Sequence, residues 1–460
     1  MKLFKIVFSL IIISSILFSQ EINKTQIEKY HSEVKNIVKY AVEREEGYKL
    51  LKEFCKFGPR LSGSENSMKA ILWTEKKMKE MGFDNVTLQP VMVPKWVRGN
   101  LEECIISKSK LLKGKKLSIA SLGGSVPTPK AGVEAEVVEV HSFEELRTLG
   151  DKVKGKIVFY NRPLEKAEID PFSAYGKAVD QRSAGAINAS KQEAVAVIVR
   201  SVTAKHDNSP HLGSVNYSGD VKKIPAVAIG LIDADMLSDA IKKDPHMKVK
   251  MRLDCKTYPD VLSYNLYCDI KGSLYPDEVI IAVGHSDSWD AGHGAHDDAA
   301  GCMHALEALN LIKATNLKPK RTLRCGFIIN EENGLRGGIE YGKYSDTAKV
   351  KHIAALESDR GAGTPKGFTT TADSLKLAKM VSWLPILYKT GIEWIKPGGG
   401  GADISRIKSN VLIGFTPEFQ KYFDYHHSKN DVISEVHPRE FELGAAAIAS
   451  LIYLISEEGL

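Results

Sequence analysis

Several things are scarce in this sequence, and each shortage excludes something. Six cysteines in 460 residues are too few for a disulfide-built scaffold. Cys55, Cys104, Cys255, Cys268, Cys302 and Cys325 are widely and irregularly spaced, which argues against cysteine-based zinc sites. The charge of one sign is slight: 63 Lys+Arg against 57 Asp+Glu leave +6. Nucleic-acid binding usually shows as a concentrated basic stripe, and so small a net charge gives no reason to expect it. No internal repeat is found. After the first twenty residues no apolar run reaches the roughly 20 residues that a membrane span needs. Leu443–Ile455 comes nearest and reads as a buried helix. What is present, 43% apolar and 26% charged residues, is ordinary for a globular chain. At about 100–200 residues per domain, the length predicts two or three domains.

The N-terminus is distinctive. Lys2 and Lys5 precede an apolar Ile6–Phe18, and small Ser19 follows, so Met1–Gln20 reads as a secretory signal peptide. The implied compartment is oxidising and permits disulfides, whose connectivity sequence does not choose. The N-x-S/T sequons at Asn23, Asn85, Asn188 and Asn216 are then glycosylation candidates.

Residues 21–45 are polar with helical spacing (Ile27, Tyr30, Val34, Ile37, Val38, Ala41) and read as an amphipathic helix or a pro-segment. A helical pattern over Met68–Met81 leads to strand-like alternation over Asn85–Val93. From about residue 111 to 255 the texture shifts to short β runs, Val133–Val140, Lys156–Tyr160, Ala194–Val199 and Ala226–Ile229, with a helical stretch at Ser183–Glu193. This predicts a small α+β domain inserted at 111–255 into a larger one made of 46–110 and 256–460. In the second half strands and helices alternate, which predicts an α/β domain whose mixed, mostly parallel sheet is flanked by helices.

The chemistry lies at strand ends. Val279–Val283 is a continuous apolar run, as in a strand buried on both faces. It ends in His285 and Asp287 and, after a Gly-rich loop, Asp297. Leu323–Asn330 runs into Glu331-Glu332, His352–Leu356 into Glu357-Ser358-Asp359, and Asn410–Phe415 is followed by His426-His427-Ser428. Ligands collect outside the carboxyl ends of strands in open α/β sheets. Singly, His285 reads as a core histidine, Glu331-Glu332 as a helix first turn, Asp297-Asp298 as a cap and Asp359-Arg360 as a surface pair. Four strand ends converging on His, Asp, Glu-Glu, Asp and His exceed coincidence. Imidazole and carboxylate are zinc's ligands when thiolate is absent, and one carboxylate can bridge two ions. The first of two adjacent glutamates is then placed as a general base. Asp287 has the spacing of a group that holds the His285 ring. His293 and His296 read as loop residues, and His426 competes with His427.

The order H-x-D, G-A-x-D-D-x-x-G, N-E-E, E-S-D, H-H-S resembles the M28 family of co-catalytic zinc peptidases. Phe57–Glu65 (FGPRLSGSE), Ser209–Gly213 (SPHLG), Gly284–Gly301, Glu357–Ala362 and Tyr422–Ser428 carry the likeness over nearly the whole mature chain. The resemblance implies the zinc-exopeptidase fold, with residues 111–255 as a protease-associated-like insert roofing the cleft. It implies two Zn2+ ions, His285 and Asp359 on one, Glu332 and His427 on the other, Asp297 bridging, and Glu331 as general base. His427 is preferred because the family's ligand directly precedes Ser or Thr. It further implies a secreted or lysosomal homodimeric dipeptidase or carboxypeptidase acting on short peptides with free termini. An aminopeptidase, a single-zinc glutaminyl-cyclase-like enzyme and a metal-free receptor ectodomain are the alternatives. Asp403 and Gly400, in the loop matching a substrate-pocket position, and His211 are candidates for substrate contact. Lys389–Ile413 and Phe415–Glu418 depart from the pattern of the similar family members.

Overall fold

Two sheets divide the chain between them. The computed structural model describes residues 24–217 and 219–460. The signal peptide read at 1–20 and the sequon Asn23 lie outside the described residues. In chain order the strands are β1 (Asp84–Val97), β2 (Glu102–Lys108), β3 (Ile119–Ser121), β4 (Val133–Val140), β5 (Ile157–Tyr160), β6 (Ala196–Arg200), β7 (Ala226–Ile229), β8 (Lys248–Leu253), β9 (Lys256–Ile270), β10 (Tyr275–His285), β11 (Arg321–Ile328), β12 (Lys351–Glu357), β13 (Pro365–Thr370), β14 (Trp394–Pro397) and β15 (Leu412–Pro417).

The larger sheet has the order β1-β9-β11-β10-β12-β15-β13-β14. Its centre, β11-β10-β12-β15, is parallel, and β1, β9 and β13 run antiparallel to their inner neighbours. The smaller sheet, β2-β8-β4-β5-β6-β7-β3, holds the inserted residues, with β4, β5, β6 and β7 parallel. This is the mixed α/β architecture the pattern predicts.

The centre of the large sheet is apolar on both faces for a physical reason. Along β10, Ile280 and Ala282 enter the main core, while Ile281 and Val283 enter a second core on the opposite face. A strand covered on both sides has no polar face to display. The main core is closed by α1 (Lys24–Arg44), α2 (Glu46–Cys55), α3 (Glu65–Glu80), α4 (Ala300–Ala314) and α5 (Pro438–Glu458). α1 buries Tyr30, Val34, Ile37 and Ala41 at 0% exposure, so the segment read as a helix or a pro-segment is an integral part of this core. The Ser64 hydroxyl caps α3 by accepting the Ser67 N–H at 3.1 Å. α5 encloses the apolar run at Leu443–Ile455, and among the described residues no helix is long and apolar enough to cross a membrane.

Three details depart from the sequence reading. The chain enters the smaller sheet at Glu102 and not at 111, because β2 pairs antiparallel with β8 and turns Cys104 and Ile106 into the insert's core. The helix over Ser183–Glu193 is two pieces, Asp180–Ser183 and Gly185–Lys191. The Tyr160 hydroxyl takes the Gly185 carbonyl at 2.8 Å where they meet. All six cysteines are buried and unpaired.

Candidate active site

The four strand ends do meet. β10 terminates at His285, β12 leads to Asp359, and the turn after β11 carries Glu331 and Glu332. Asp297 lies in the irregular turn before α4, and His427 follows the loop after β15 with a left-handed backbone (φ 60). The peptide bond between Asp297 and Asp298 is cis.

Asp297 is the centre of the cluster. Its Oδ1 lies 3.2 Å from His285 Nε2, which is itself 3.5 Å from Asp359 Oδ1. Its Oδ2 lies 3.3 Å from His427 Nε2, which is 3.0 Å from Glu332 Oε2. His426 stacks on His427 with ring centroids 3.5 Å apart, and its Nε2 is 3.7 Å from Asp297 Oδ2. His427 therefore reaches two carboxylates more closely than His426 reaches one. The donor atoms fall into two overlapping groups able to hold a cation, His285 with Asp297 and Asp359, and Asp297 with His426 and His427. Asp297 Oδ2 and Glu332 Oε1 are buried with no hydrogen-bond donor. Buried carboxylate oxygens of that kind are costly unless a cation meets them. Imidazole and carboxylate donors without thiolate suit zinc.

The electrostatics agree. Burial pushes the Glu331 carboxyl up to about 8, with the Asp359, Asp287 and Asp297 charges adding to it. Burial and then Asp297 raise Glu332 well above the ordinary range. Burial opposes charge on His285, yet Asp359 and Asp297 draw its proton affinity well up. So many acids in one dry pocket repel one another, and a cation relieves that.

Around this cluster sits a layer of supports. Asp287 behaves differently from the spacing argument: its main-chain carbonyl, not its carboxylate, meets His285 Nδ1 at 3.1 Å. The carboxylate Oδ1 instead accepts the N–H groups of Asn330 (2.7 Å) and Glu331 (3.1 Å). Asp298 accepts the His285 N–H at 3.0 Å and the Gly301 N–H at 2.9 Å. Gly301 is required there, since a Cβ would stand 1.8 Å from the Ser358 carbonyl. Asp431, which strand-end reasoning misses, accepts the N–H groups of Ala295, His296 and Asp297 at 3.0, 2.7 and 3.1 Å. Arg60, fully buried, donates to the carbonyls of Ser286, His293 and Gly294. Nothing but the FGPRLSG turn signals it in the sequence. His296 stacks on Tyr425 at 5.0 Å and accepts the Ala362 N–H, a structural role.

The substrate candidates fall around the same cleft. A cavity of about 160 Å³ is lined by Phe172, Asp359, Arg360, Gly400, Gly401 and Phe415. Asp403 is 2% exposed with both carboxylate oxygens unpaired, and its carboxyl is raised by burial and by Glu357 and Glu331. His211 is buried in the insert, its imidazole pushed down to about 4 by desolvation. From the insert, Phe172 stacks on Tyr422 at 5.3 Å and Tyr175 on Phe423 at 4.6 Å, closing one side of the cluster. Of the sequons, Asn85 and Asn216 are exposed, although the Asn85 amide donates to the Asp269 carboxylate at 3.1 Å, while Asn188 turns its amide onto the Ala184 carbonyl at 2.9 Å.

Fold and site together define a metallopeptidase. The profile of peptidase family M28 matches residues 265–452. Carboxypeptidase Q of Xenopus laevis is 37% identical over 443 residues, covering 95% of this chain and 92% of that protein. Carboxypeptidase Q of Homo sapiens is 35% identical over 402 residues, 87% of this chain and 83% of that protein. The chain belongs to peptidase family M28. Its structure is similar to that of a peptidase M28 precursor from Shewanella amazonensis, with TM-score 0.88 and 30% identity over 94% of this chain and 97% of that one. A zinc aminopeptidase from Bacillus subtilis shares the fold at TM-score 0.64 and 18% identity, over 89% of this chain and 94% of that one.

Proposed function

We propose that the protein is a dizinc peptidase of the secretory pathway, secreted or lysosomal, hydrolysing dipeptides and other short peptides whose termini are free. One observation carries the two-metal reading: the two oxygens of Asp297 face two separate ligand sets. His285 and Asp359 would hold one ion, Glu332 and His427 the other, and Asp297 would hold both. Zinc supplies Lewis acidity to the scissile carbonyl and makes a water more acidic. Glu331 accepts the proton of the attacking water and returns it to the departing amine. Asp287, through the Asn330 and Glu331 N–H groups, keeps the base in place.

Short substrates are favoured by the enclosure. The insert's Phe172 and Tyr175 wall the metal cluster, and the adjoining cavity is small. The relatives named Carboxypeptidase Q favour a requirement for a free C-terminus. Asp403, Gly400 and His211 would shape substrate binding, and the exposed sequons Asn85 and Asn216 are the candidates for glycans. The family resemblance makes a homodimer the expected assembly.

The test is Glu331→Gln assayed on free dipeptides with matching N-blocked and C-blocked forms. A loss of about 10²–10⁴-fold in kcat is expected, with cleavage confined to the doubly free peptides. Wild-type rates in Glu331→Gln would overturn the mechanism. Equal cleavage of C-blocked peptides would make the enzyme an aminopeptidase, and cyclisation with one bound zinc would place it with the glutaminyl cyclases.

A further inference from the structure

The two halves of the metal cluster are held by different parts of the molecule. On the His285–Asp359 side the hydrogen bonds that hold the ligands come from the large domain, and the insert adds only the Phe172 ring under Arg360. His285 Nδ1 meets the Asp287 carbonyl, the His285 N–H meets Asp298, and the Ser358 N–H donates to the Val283 carbonyl at 3.0 Å. The Glu332–His427 side is gripped from the insert. The Leu212 N–H donates to the His427 carbonyl at 2.7 Å, and His427 Nδ1 lies 3.2 Å from the Leu212 carbonyl. The Ser214 hydroxyl donates to the Glu332 carbonyl at 3.1 Å. This segment is tied to the smaller sheet's domain through Gly123, whose N–H donates to Gly213 O and whose carbonyl accepts the Val215 N–H.

Arg182, also in the insert, is the keystone of that grip. Its Nη1 donates to the Leu212 carbonyl at 2.8 Å and lies 3.4 Å from His427 Nδ1. The guanidinium sits over the Tyr175 ring at 5.5 Å and is 9% exposed. It occupies the place where a residue 213 side chain would go: a Cβ on Gly213 would stand 2.1 Å from Arg182 Cζ, and Gly213 has φ +136°. So the carbonyl that meets the distal nitrogen of His427 is pinned by a second residue of the same foreign domain.

We propose that the inserted domain is a working part of the metal centre. Arg182 and the Leu212–Ser214 segment are positioning residues for the Glu332–His427 site alone. Retention of that one ion then depends on how the insert sits, while the His285–Asp359 site does not. The inference rests on the two-metal reading. Its physical basis is that a ligating histidine needs its other ring nitrogen satisfied to fix the ring's orientation and tautomer, and that losing such a partner costs about 10–100-fold in metal affinity. Here the partner arrives from another domain on one side only.

The experiment is zinc retention by the full-length protein after dialysis against graded EDTA, read by elemental analysis. Wild type, Arg182→Met and Arg182→Lys are compared, with circular dichroism to verify folding. Wild type is expected to keep two equivalents. In Arg182→Met one equivalent should leave at about 10–100-fold lower chelator activity while the other is released as in wild type. Arg182→Lys, which keeps a donor for the Leu212 carbonyl, should restore part of the difference. Should Arg182→Met not fold, Arg182→Lys and Ser214→Ala carry the comparison, with smaller displacements of the same single equivalent. Two equivalents released together, or release curves identical to wild type, overturn the assignment of the insert and leave the two-metal reading standing. A wild-type protein that retains only one equivalent overturns the two-metal reading, and this inference with it.

Discussion

At the scale of single residues, the site separates groups that would touch a metal from groups that aim those groups. Asp287 belongs to the second kind. Its carboxylate is fully buried and spends one oxygen on the Asn330 and Glu331 N–H groups, so it sets the turn on which the base stands. Asp287→Ala removes that acceptor without removing any ligand. Steady-state kinetics should then show kcat down about 10–100-fold with KM little changed and zinc content intact. Loss of zinc alongside activity would mean that Asp287 acts on His285 instead. Asp431 aims the bridging carboxylate in the same way, using both oxygens on three N–H groups. In Asp431→Asn one side becomes an N–H donor facing another donor. Urea unfolding should register a loss of about 1–3 kcal/mol; an unchanged midpoint would count against that account. These two residues also mark what sequence can and cannot display. His285, Glu332 and Asp359 stand just beyond apolar strands and are picked out by that position, whereas His427 is separated from β15 by a loop and is preferred over His426 only through the family resemblance. Asp431 and Arg60 act on main-chain atoms of segments more than a hundred positions away, and no local pattern encodes such a pairing.

At the scale of elements, legibility follows how a segment is buried. β10 and α5 are buried along nearly their whole apolar length, and both are read from apolar runs alone. β2 was harder because its alternation is short and its partner, β8, lies far along the chain. The helix packing holds a feature with a pH consequence. Glu307 on α4 and Glu442 on α5 are both 0% exposed, and each keeps one carboxyl oxygen unpaired. Facing them are Glu45, Glu46 and Lys49 near α2, the Tyr48 N–H, which donates to Glu442 at 2.8 Å, and Asn310, which donates to Glu307 at 3.0 Å. Burial pushes Glu442 up to about 7 from an ordinary 4.5, and burial, with the Glu442 charge adding to it, also raises Glu307 well above the ordinary range. Below pH 4.5 the folded and unfolded chains both hold the Glu442 proton, so its contribution is complete. Between 4.5 and about 7 only the folded chain keeps it, and stability falls by about 1.4 kcal/mol per pH unit. Above 7 the Glu442 contribution has levelled off. Thermal melting from pH 4.5 to 7 should therefore decline less steeply in Glu442→Gln than in wild type. Parallel curves would show that the pair is not protonated in the folded protein.

At the scale of the whole molecule, the Asp297 cluster lies beyond the carboxyl ends of the large sheet's parallel strands and meets the core of the smaller sheet only at Trp289, which packs against His427. The change of texture over residues 111–255 marks most of the stretch that the smaller sheet draws on, while β2, which starts at Glu102, lies outside it. The contacts of the insert with His427 and Glu332 have no local signal in the sequence, since they pair atoms of residues 118 to 245 positions apart. The separation of cores and site predicts how the protein responds to metal removal. The main core draws on α1–α5 and on Met380, Ile386 and Leu387 from two further helices, and both faces of β10 are covered without any metal ligand, so the fold should survive chelation. The cost is local: Asp297, Glu331, Glu332 and Asp359 are left crowded in a dry pocket with no cation, and the stabilisation that each ion gave by binding only the folded chain is lost. For an ion present at 100–1,000 times its Kd, that is about 2.7–4.1 kcal/mol. EDTA should therefore abolish peptide hydrolysis at 25 °C while leaving far-ultraviolet circular dichroism unchanged, and should lower the melting temperature by several degrees, reversibly on adding zinc. Concerted loss of helical signal at 25 °C on chelation would mean that the centre is structural, and that the cores described above do not hold the fold unaided.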